Sequence, residues 1–329
     1  MKRNLLSQLR NLLNRLPVFI TIAVCMFLPW FVTNNYYMLI INEVLIFIVA
    51  VLGMNFITGL AGENNMGMAG LFAIGAYCSA ILTIDLNLSP FIALLICIPV
   101  GMLFGQILGR PSLRVKGVYL ALTTMMFGEV VRLVINNLKI TNGSNGLRNI
   151  PKYSFFGFVF ETYQQQFYLY FAICLLALWI SHAVVKGRFG REFQAIRDNE
   201  DGVESCGVNI VKVKLTAFTL CTVFGCVAGA MWAHLIGYVN PNMFSFDFMI
   251  KFFMVLMLGG IGSVPGIIFG AIIVVVLPEV LRFMQDYYLL VYGAIALLFV
   301  LFMPYGMASA ITMVKQKIIT ASQKRKNAK

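Results

Sequence analysis

Three groups of side chains in this chain have types and spacings that can do chemistry. The first is GLAGENNMGMAGLFAIGAY (59–77), where Glu63, Asn64 and Asn65 stand among glycines 59, 62, 67, 70 and 75. A carboxylate and two amides beside backbone free of Cβ atoms can form either a water-facing turn or the lining of a passage. The second is KGRFGREFQAIRDNEDGVESCGVNIVKVK (186–214), the longest polar stretch. The third is Glu129 with Arg132, three residues apart on one helix face and therefore able to pair; it reads as a structural pair that holds its helix in a bundle. Covalent and metal chemistry find no support. There is no GxxxxGK[ST] phosphate loop, His182 and His234 are far apart and form no HExxH, and no catalytic triad or metal-ligand spacing occurs.

The elements that must position these groups are set by composition. Of 329 residues, 60% are hydrophobic and 12% charged, against about 25% charged in soluble domains. Apolar runs fall at 17–34, 39–60, 67–84, 90–109, 117–137, 166–185, 215–237 and 287–309, with a long run at 249–282. Most are near the ~20 residues that carry a helix across a ~30 Å hydrocarbon core. They lack the period-two alternation of barrel strands, so the fold class is an all-α polytopic membrane protein. The long run is broken by GGIGSVPG (259–266), whose glycines and Pro265 interrupt a helix. Two passes there give ten spans; a re-entrant pair gives eight.

Charge sets the orientation. Lys and Arg total 25 against 13 Asp and Glu, a net +12. They cluster in the basic segment 1–16, after 109, in 186–214 and in the tail 310–329, which places both termini and the 186–214 loop on the cytoplasmic side. Lys139, Arg148 and Lys152 stand against that rule. The basic excess reads as a topology and headgroup signal and not as a nucleic-acid surface. The seven cysteines are scattered through apolar spans and suggest no disulfide framework. Tandem GxxxG spacing at Gly101, Gly105 and Gly109, repeated at 225/229 and 266/270, lets helices approach closely in lipid.

In 186–214, the spacing predicts one amphipathic helix from Arg191 to about Cys206, with Phe193, Ile196, Val203 and Cys206 on its apolar face and Gly207 as its stop. Such a helix lies on a bilayer or inserts its apolar face into a partner's groove. Its five acidic residues oppose an anionic lipid surface, which favours a protein partner.

Four stretches, in order, resemble a known family. They are GLAGENNMGMAGLFAIGAY, GVYLALTTMMFGEVVRLVINN with TNGSNGL, GRFGREFQAIRDNEDGVESCGVNIVKVKLTAF, and AHLIGYVNPNMFSFDFMIKFFMVLMLGGIGSVPGIIFGA. They are similar to permease subunits of branched-chain amino acid ABC importers, specifically the LivM-type subunit. The resemblance implies a type II ABC importer-like permease domain at 17–309, in the bacterial cytoplasmic (inner) membrane, that is not itself an enzyme. It further implies a second homologous permease, two cytoplasmic ATPase subunits that carry ATP and Mg, a periplasmic or lipid-anchored substrate-binding protein, and no cofactor on this chain. Arg191, Phe193, Ala195, Ile196, Arg197, Asp198, Glu204 and Gly207 would then belong to an ATPase-docking loop. Glu63, Asn64, Asn65 and Gly67, with Gly259, Gly260 and Gly262, become pore or gate candidates, on a re-entrant or broken helix. Relatives that move urea, amides or other amino acids are one alternative for the substrate. An ion-coupled secondary transporter is another, disfavoured by the scarcity of acids within the spans.

Overall fold

Lipid offers no water to backbone N–H and C=O groups, so a chain this apolar has to pair them internally. The computed structural model describes residues 26–281 apart from positions 33, 113, 116, 156 and 157, together with positions 291, 293, 294 and 297. Backbone pairing is met almost wholly by helices. The long ones are α1 (Asn35–Met54), which runs on into a π-helical turn at Asn55–Leu60, α2 (Met68–Ile84), α3 (Pro90–Ser112), α4 (Val118–Asn137) and α5 (Tyr163–Lys186). Two short helices, α6 (Arg188–Asp198) and α7 (Glu200–Ser205), precede α8 (Ile210–Ile236), α9 (Phe246–Gly259) and α10 (Val264–Leu281). Local chemistry sets several ends. Asn34 caps α1 by accepting from the Tyr36 N–H, Thr162 and Gln165 form a capping box at α5, Asn209 caps α8, and Gly237 at φ 73° closes it.

Consecutive long helices alternate in direction. One end of the bundle gathers the 61–67 linker, α6, α7 and the turn between α9 and α10; we call it the loop end. The other, the strand end, carries the two-residue strands β1 (Leu147–Arg148), β2 (Ser154–Phe155), β3 (Phe158–Val159) and β4 (Tyr238–Val239), paired antiparallel as β1 with β4 and β2 with β3. Of the cations that defied the charge rule, Arg148 and Lys152 have local partners at the strand end. Arg148 lies 5.6 Å from the Tyr238 ring centroid, and Lys152 lies 5.7 Å from that of Tyr163 while donating to the Glu161 carbonyl.

The core is built around α1, which is buried along most of its length and packs on α8, α5 and α10. The rings of Phe47, Phe72, Phe248 and Phe252 knit α1, α2 and α9 together, with centroids 4.8 Å apart for Phe47 and Phe252. Gly101 and Gly105 of α3 lie on α8 beside Val223 and Thr219, so the tandem GxxxG is a packing face. His234 is buried, with its ring nitrogens 2.7 Å from Ser79 Oγ and 2.6 Å from the Pro151 carbonyl oxygen.

Among the described residues, six helices are long and apolar enough to cross a membrane: Asn35–Leu60, Pro90–Ser112, Val118–Asn137, Tyr163–Lys186, Ile210–Ile236 and Val264–Leu281. Met68–Ile84 and Phe246–Gly259 are shorter, at 17 and 14 residues. The long run at 249–282 is indeed two helices, folded back on each other so closely that a Cβ on Gly266 would lie within 2 Å of the Gly259 carbonyl. The expected span at 17–34 is described only from Met26. Segments 1–16 and 310–329, and all but four positions of the span at 287–309, lie outside the described residues, and with them the total of ten and the sides of the termini.

One close approach provides a test of the packing. A Cβ on Gly75 of α2 would meet the Cys226 carbonyl oxygen of α8 at 2.0 Å, whereas one on Gly128 of α4 meets nothing nearer than 3.6 Å. Gly75→Ala is expected to lower the thermal midpoint of the purified subunit by several degrees, the effect of a roughly 1–3 kcal/mol overpacking cost. Gly128→Ala leaves the midpoint level or slightly raised, because alanine gains up to about 1 kcal/mol over glycine within a helix.

Candidate functional site

At the loop end, the segment that begins GLAGENN is where the polar groups converge. The α1 helix widens into the π turn at 55–60, and 61–67 then runs without helix to the start of α2. A π turn widens the helix and reorients its side chains and carbonyls. Here it directs the buried Asn55 amide at the turn between α9 and α10, where Asn55 Oδ1 accepts from the Gly262 N–H at 2.9 Å. Gly59 leaves the room for this, because a Cβ there would fall 2.0 Å from the same Oδ1. The Gly59 carbonyl accepts 2.7 Å from Arg197 Nη1 of α6, and the Arg197 stem lies across Gly62, which adopts φ 75°.

The next residues complete the junction. Glu63 Oε1 is 2.6 Å from Lys214 Nζ of α8, and Lys214 also reaches Glu200 Oε1 of α7 at 2.8 Å. The lysine side chain is only 6% exposed, so the two carboxylates replace the water it has lost. Asn65 is buried: its backbone N–H donates to Thr58 Oγ1, its amide N–H to Cys221 Sγ, and its Oδ1 accepts from the Gly67 N–H. Met66 N–H donates to Thr124 Oγ1 of α4. In seven residues, 61–67, the chain is thus tied to the π turn, α4 and α8, reaches α7 through Lys214, and lies against α6.

These positions correct several expectations. Of the proposed gate residues, only Asn64 is exposed; Glu63 is half-buried in an ion pair, and Asn65 and Gly67 are packed inside the subunit. Gly259 is buried against Gly266, and Gly260 and Gly262 take φ 103° and 85° in the hairpin turn. The predicted single helix at 191–206 is two, because Asn199 leaves helical geometry at φ −159° and caps α7 by accepting from the Gly202 N–H. Its apolar face is also spent within this chain. Phe193 and Ile196 are 0% and 5% exposed against α5, α8 and the π turn, while Cys206 is exposed. The surface left for a partner is polar: Arg191, Asp198 and Glu204 are exposed, with Gly207 beside them and Ala195 half-buried behind. A cleft of about 460 Å³ separates α6 from the hairpin turn, with Gln194, Arg197, Asp198 and Ser263 on its walls.

Glu129 and Arg132 pair as expected, with Arg132 Nε 3.0 and 3.1 Å from the two carboxylate oxygens. The pair is not sealed in the bundle. Its side chains are 42% and 24% exposed, Arg132 Nη1 donates 3.1 Å to Asn242 Oδ1, and all three border a cavity of about 500 Å³ between α2, α4 and α9.

Lys214, Glu200, Asn55 and Asn242 were not singled out by spacing. Asn55 did leave a trace, since an amide inside an apolar run has to find a partner when buried. Lys214 was visible only as one more topology charge. Among the described residues, no group of three or more His, Cys, Asp or Glu is placed to hold a metal ion.

Comparison with known proteins follows the same line. Residues 36–301 match the family model described as branched-chain amino acid transport system, permease component. The chain is 33% identical over 287 residues to the high-affinity branched-chain amino acid transport system permease protein LivM of Salmonella typhimurium, covering 80% of this chain and 68% of that one. It is 34% identical over 291 residues to the corresponding Escherichia coli protein, with the same coverage. A probable branched-chain amino acid transport permease protein LivM of Methanocaldococcus jannaschii is 25% identical over 251 residues, 71% of each. No solved structure matches.

The ion triad makes a local test. Lys214→Met leaves Glu63 and Glu200 without their shared cation, and hydrogen bonds to charged groups are worth roughly 1.5–3 kcal/mol. Amide hydrogen exchange across 188–205 is expected to speed up by about tenfold or more, with Lys214→Arg close to the parent chain.

Proposed function

The chain belongs to the family of permease components of branched-chain amino acid transport systems, and on that premise we propose that it supplies half of the membrane pathway of an ATP-driven importer. Leucine, isoleucine and valine are the substrates, and the membrane is the bacterial cytoplasmic one. A second homologous permease completes the pathway. Two cytoplasmic ATPase subunits bind ATP and Mg and dock on the loop end, and an external binding protein delivers substrate to the strand end. This chain contributes no catalytic group of its own.

The observation that carries the reading is the junction around 61–67. A partner that pulls on the polar face of α6 and α7 moves Arg197 and Glu200. Arg197 is bonded to the Gly59 carbonyl, and Glu200 is joined through Lys214 to Glu63. Asn55, one turn away in the same π segment, is bonded to the tip of the α9–α10 hairpin. Displacement of α6 therefore reaches α1 and that hairpin through hydrogen bonds and not through loose packing. Alternating access needs two states that nucleotide binding biases differently. The junction is the element whose rearrangement would link the docking surface to the helices of the pathway.

In proteoliposomes that hold both permeases and both ATPases, leucine uptake should require ATP and the binding protein. Uptake by this chain alone, driven by an ion gradient without ATP, would overturn the proposal. Arg197→Glu should cut uptake at least tenfold while ATP hydrolysis by the complex continues. Parent-level transport in that variant would remove α6 from the coupling route.

A further inference from the structure

The cavity bordered by Glu129 and Arg132 shares Met66 with the loop-end junction and extends from it past the middle of α4 to the start of α9. Glu129 lies about 12 Å along α4 from Asn137 at a rise of 1.5 Å per residue. An ionised pair at that depth is expensive in hydrocarbon and is retained where it faces a water-filled space or serves a ligand. A purely structural pair would be expected to close off its own hydrogen-bonding capacity. This one does not. The guanidinium has five N–H donors; Nε and Nη2 face Glu129 and Nη1 gives one hydrogen to Asn242, so two remain. The Glu129 carboxylate accepts only from Arg132 among the described residues, which leaves lone pairs for a further donor. Both side chains are partly exposed into the cavity.

The rest of the wall is apolar and adaptable. Met66, Met125, Met126 and Met249 line it together with Phe244 and Phe246. Methionine side chains are unbranched and polarizable and fill irregular shapes, so this lining accommodates leucine, isoleucine and valine side chains without selecting one. A volume of about 500 Å³ lies within the roughly 300–1,000 Å³ of small-molecule sites. An adjacent acid and base beside an apolar hollow is the complement of a zwitterion with an apolar side chain.

We propose that this cavity is a transit site for the amino acid, in which Glu129 receives the α-ammonium group, Arg132 the α-carboxylate, and the methionine-lined wall the side chain. The proposal rests on the reading of the chain as an amino acid importer subunit, and it deepens that reading by giving the substrate a place within the permease. In transit the substrate's two charges exchange partners with a pre-formed ion pair. The charged head is thereby kept paired where water is scarce, and Asn242 holds Arg132 in place as the carboxylate is shared.

The test uses the complete importer in nanodiscs, with Met126→Cys in this chain and alkylation at that position read by mass spectrometry. Leucine, isoleucine and valine at millimolar concentration should each slow alkylation at least threefold. Leucinol, which lacks the carboxylate, and 4-methylpentanoate, which lacks the ammonium group, should slow it by less than half as much. Glu129→Gln or Arg132→Gln should abolish the leucine effect. Equal protection by leucinol and leucine, or protection that survives Arg132→Gln, overturns the site. So does no protection by leucine in a preparation that imports leucine with ATP. The probe series on Met126→Cys alone decides the matter if the charge variants do not assemble. Charge-dependent protection in a preparation that imports no branched-chain amino acid would sink the importer assignment and leave the site standing.

Discussion

The structure depends on what happens to the backbone where α1 stops being an α-helix. A helix end inside an apolar bundle frees carbonyls and N–H groups that no solvent can satisfy. In this protein the π turn at 55–60 and the linker 61–67 hand those groups to other elements. The Gly59 carbonyl goes to Arg197, the Asn65 N–H to Thr58 and the Met66 N–H to Thr124. The need for backbone partners is thus what ties a surface helix, a hairpin turn and the most buried helix into one joint. A side-chain ion triad reinforces the joint, and its lysine sits low on α8, which packs against α1, α2 and α3.

Around that joint the bundle is held by close backbone contact, because lipid provides no hydrophobic drive between helices. Glycines at 75, 101, 105 and 229 bring α2 and α3 down onto α8, and the aromatic rings of α1, α2 and α9 fill the far side. Cores packed in this way repack between discrete arrangements and resist gradual bending. A joint of directional hydrogen bonds set in such a core moves, if at all, as a unit with the elements it ties together.

Much of the fold was legible in the chain. Among the described residues the apolar runs predicted the long helices to within about five residues, since in lipid length and composition largely dictate them. The break at GGIGSVPG was legible because glycine and proline leave a helix no alternative there. The amphipathic segment at 191–206 departs from its expected form in two ways, each with a physical cause. Asn199 caps a new helix, and nothing in the periodicity marks it as a cap. Periodicity also says that Phe193 and Ile196 are buried without saying against what, and they turn out to be covered by their own subunit. The ion pair of Glu63 with Lys214 joins residues far apart in the chain, so no local pattern could disclose it. The recognisable order of four motifs carried the family where the local chemistry could not.

The two shortest of the long helices, α2 with 17 residues and α9 with 14, both border the methionine-lined cavity. At 1.5 Å per residue α9 reaches only about 21 Å, some 9 Å less than a typical hydrocarbon core. A helix that short cannot by itself cover a hydrocarbon core of ordinary thickness.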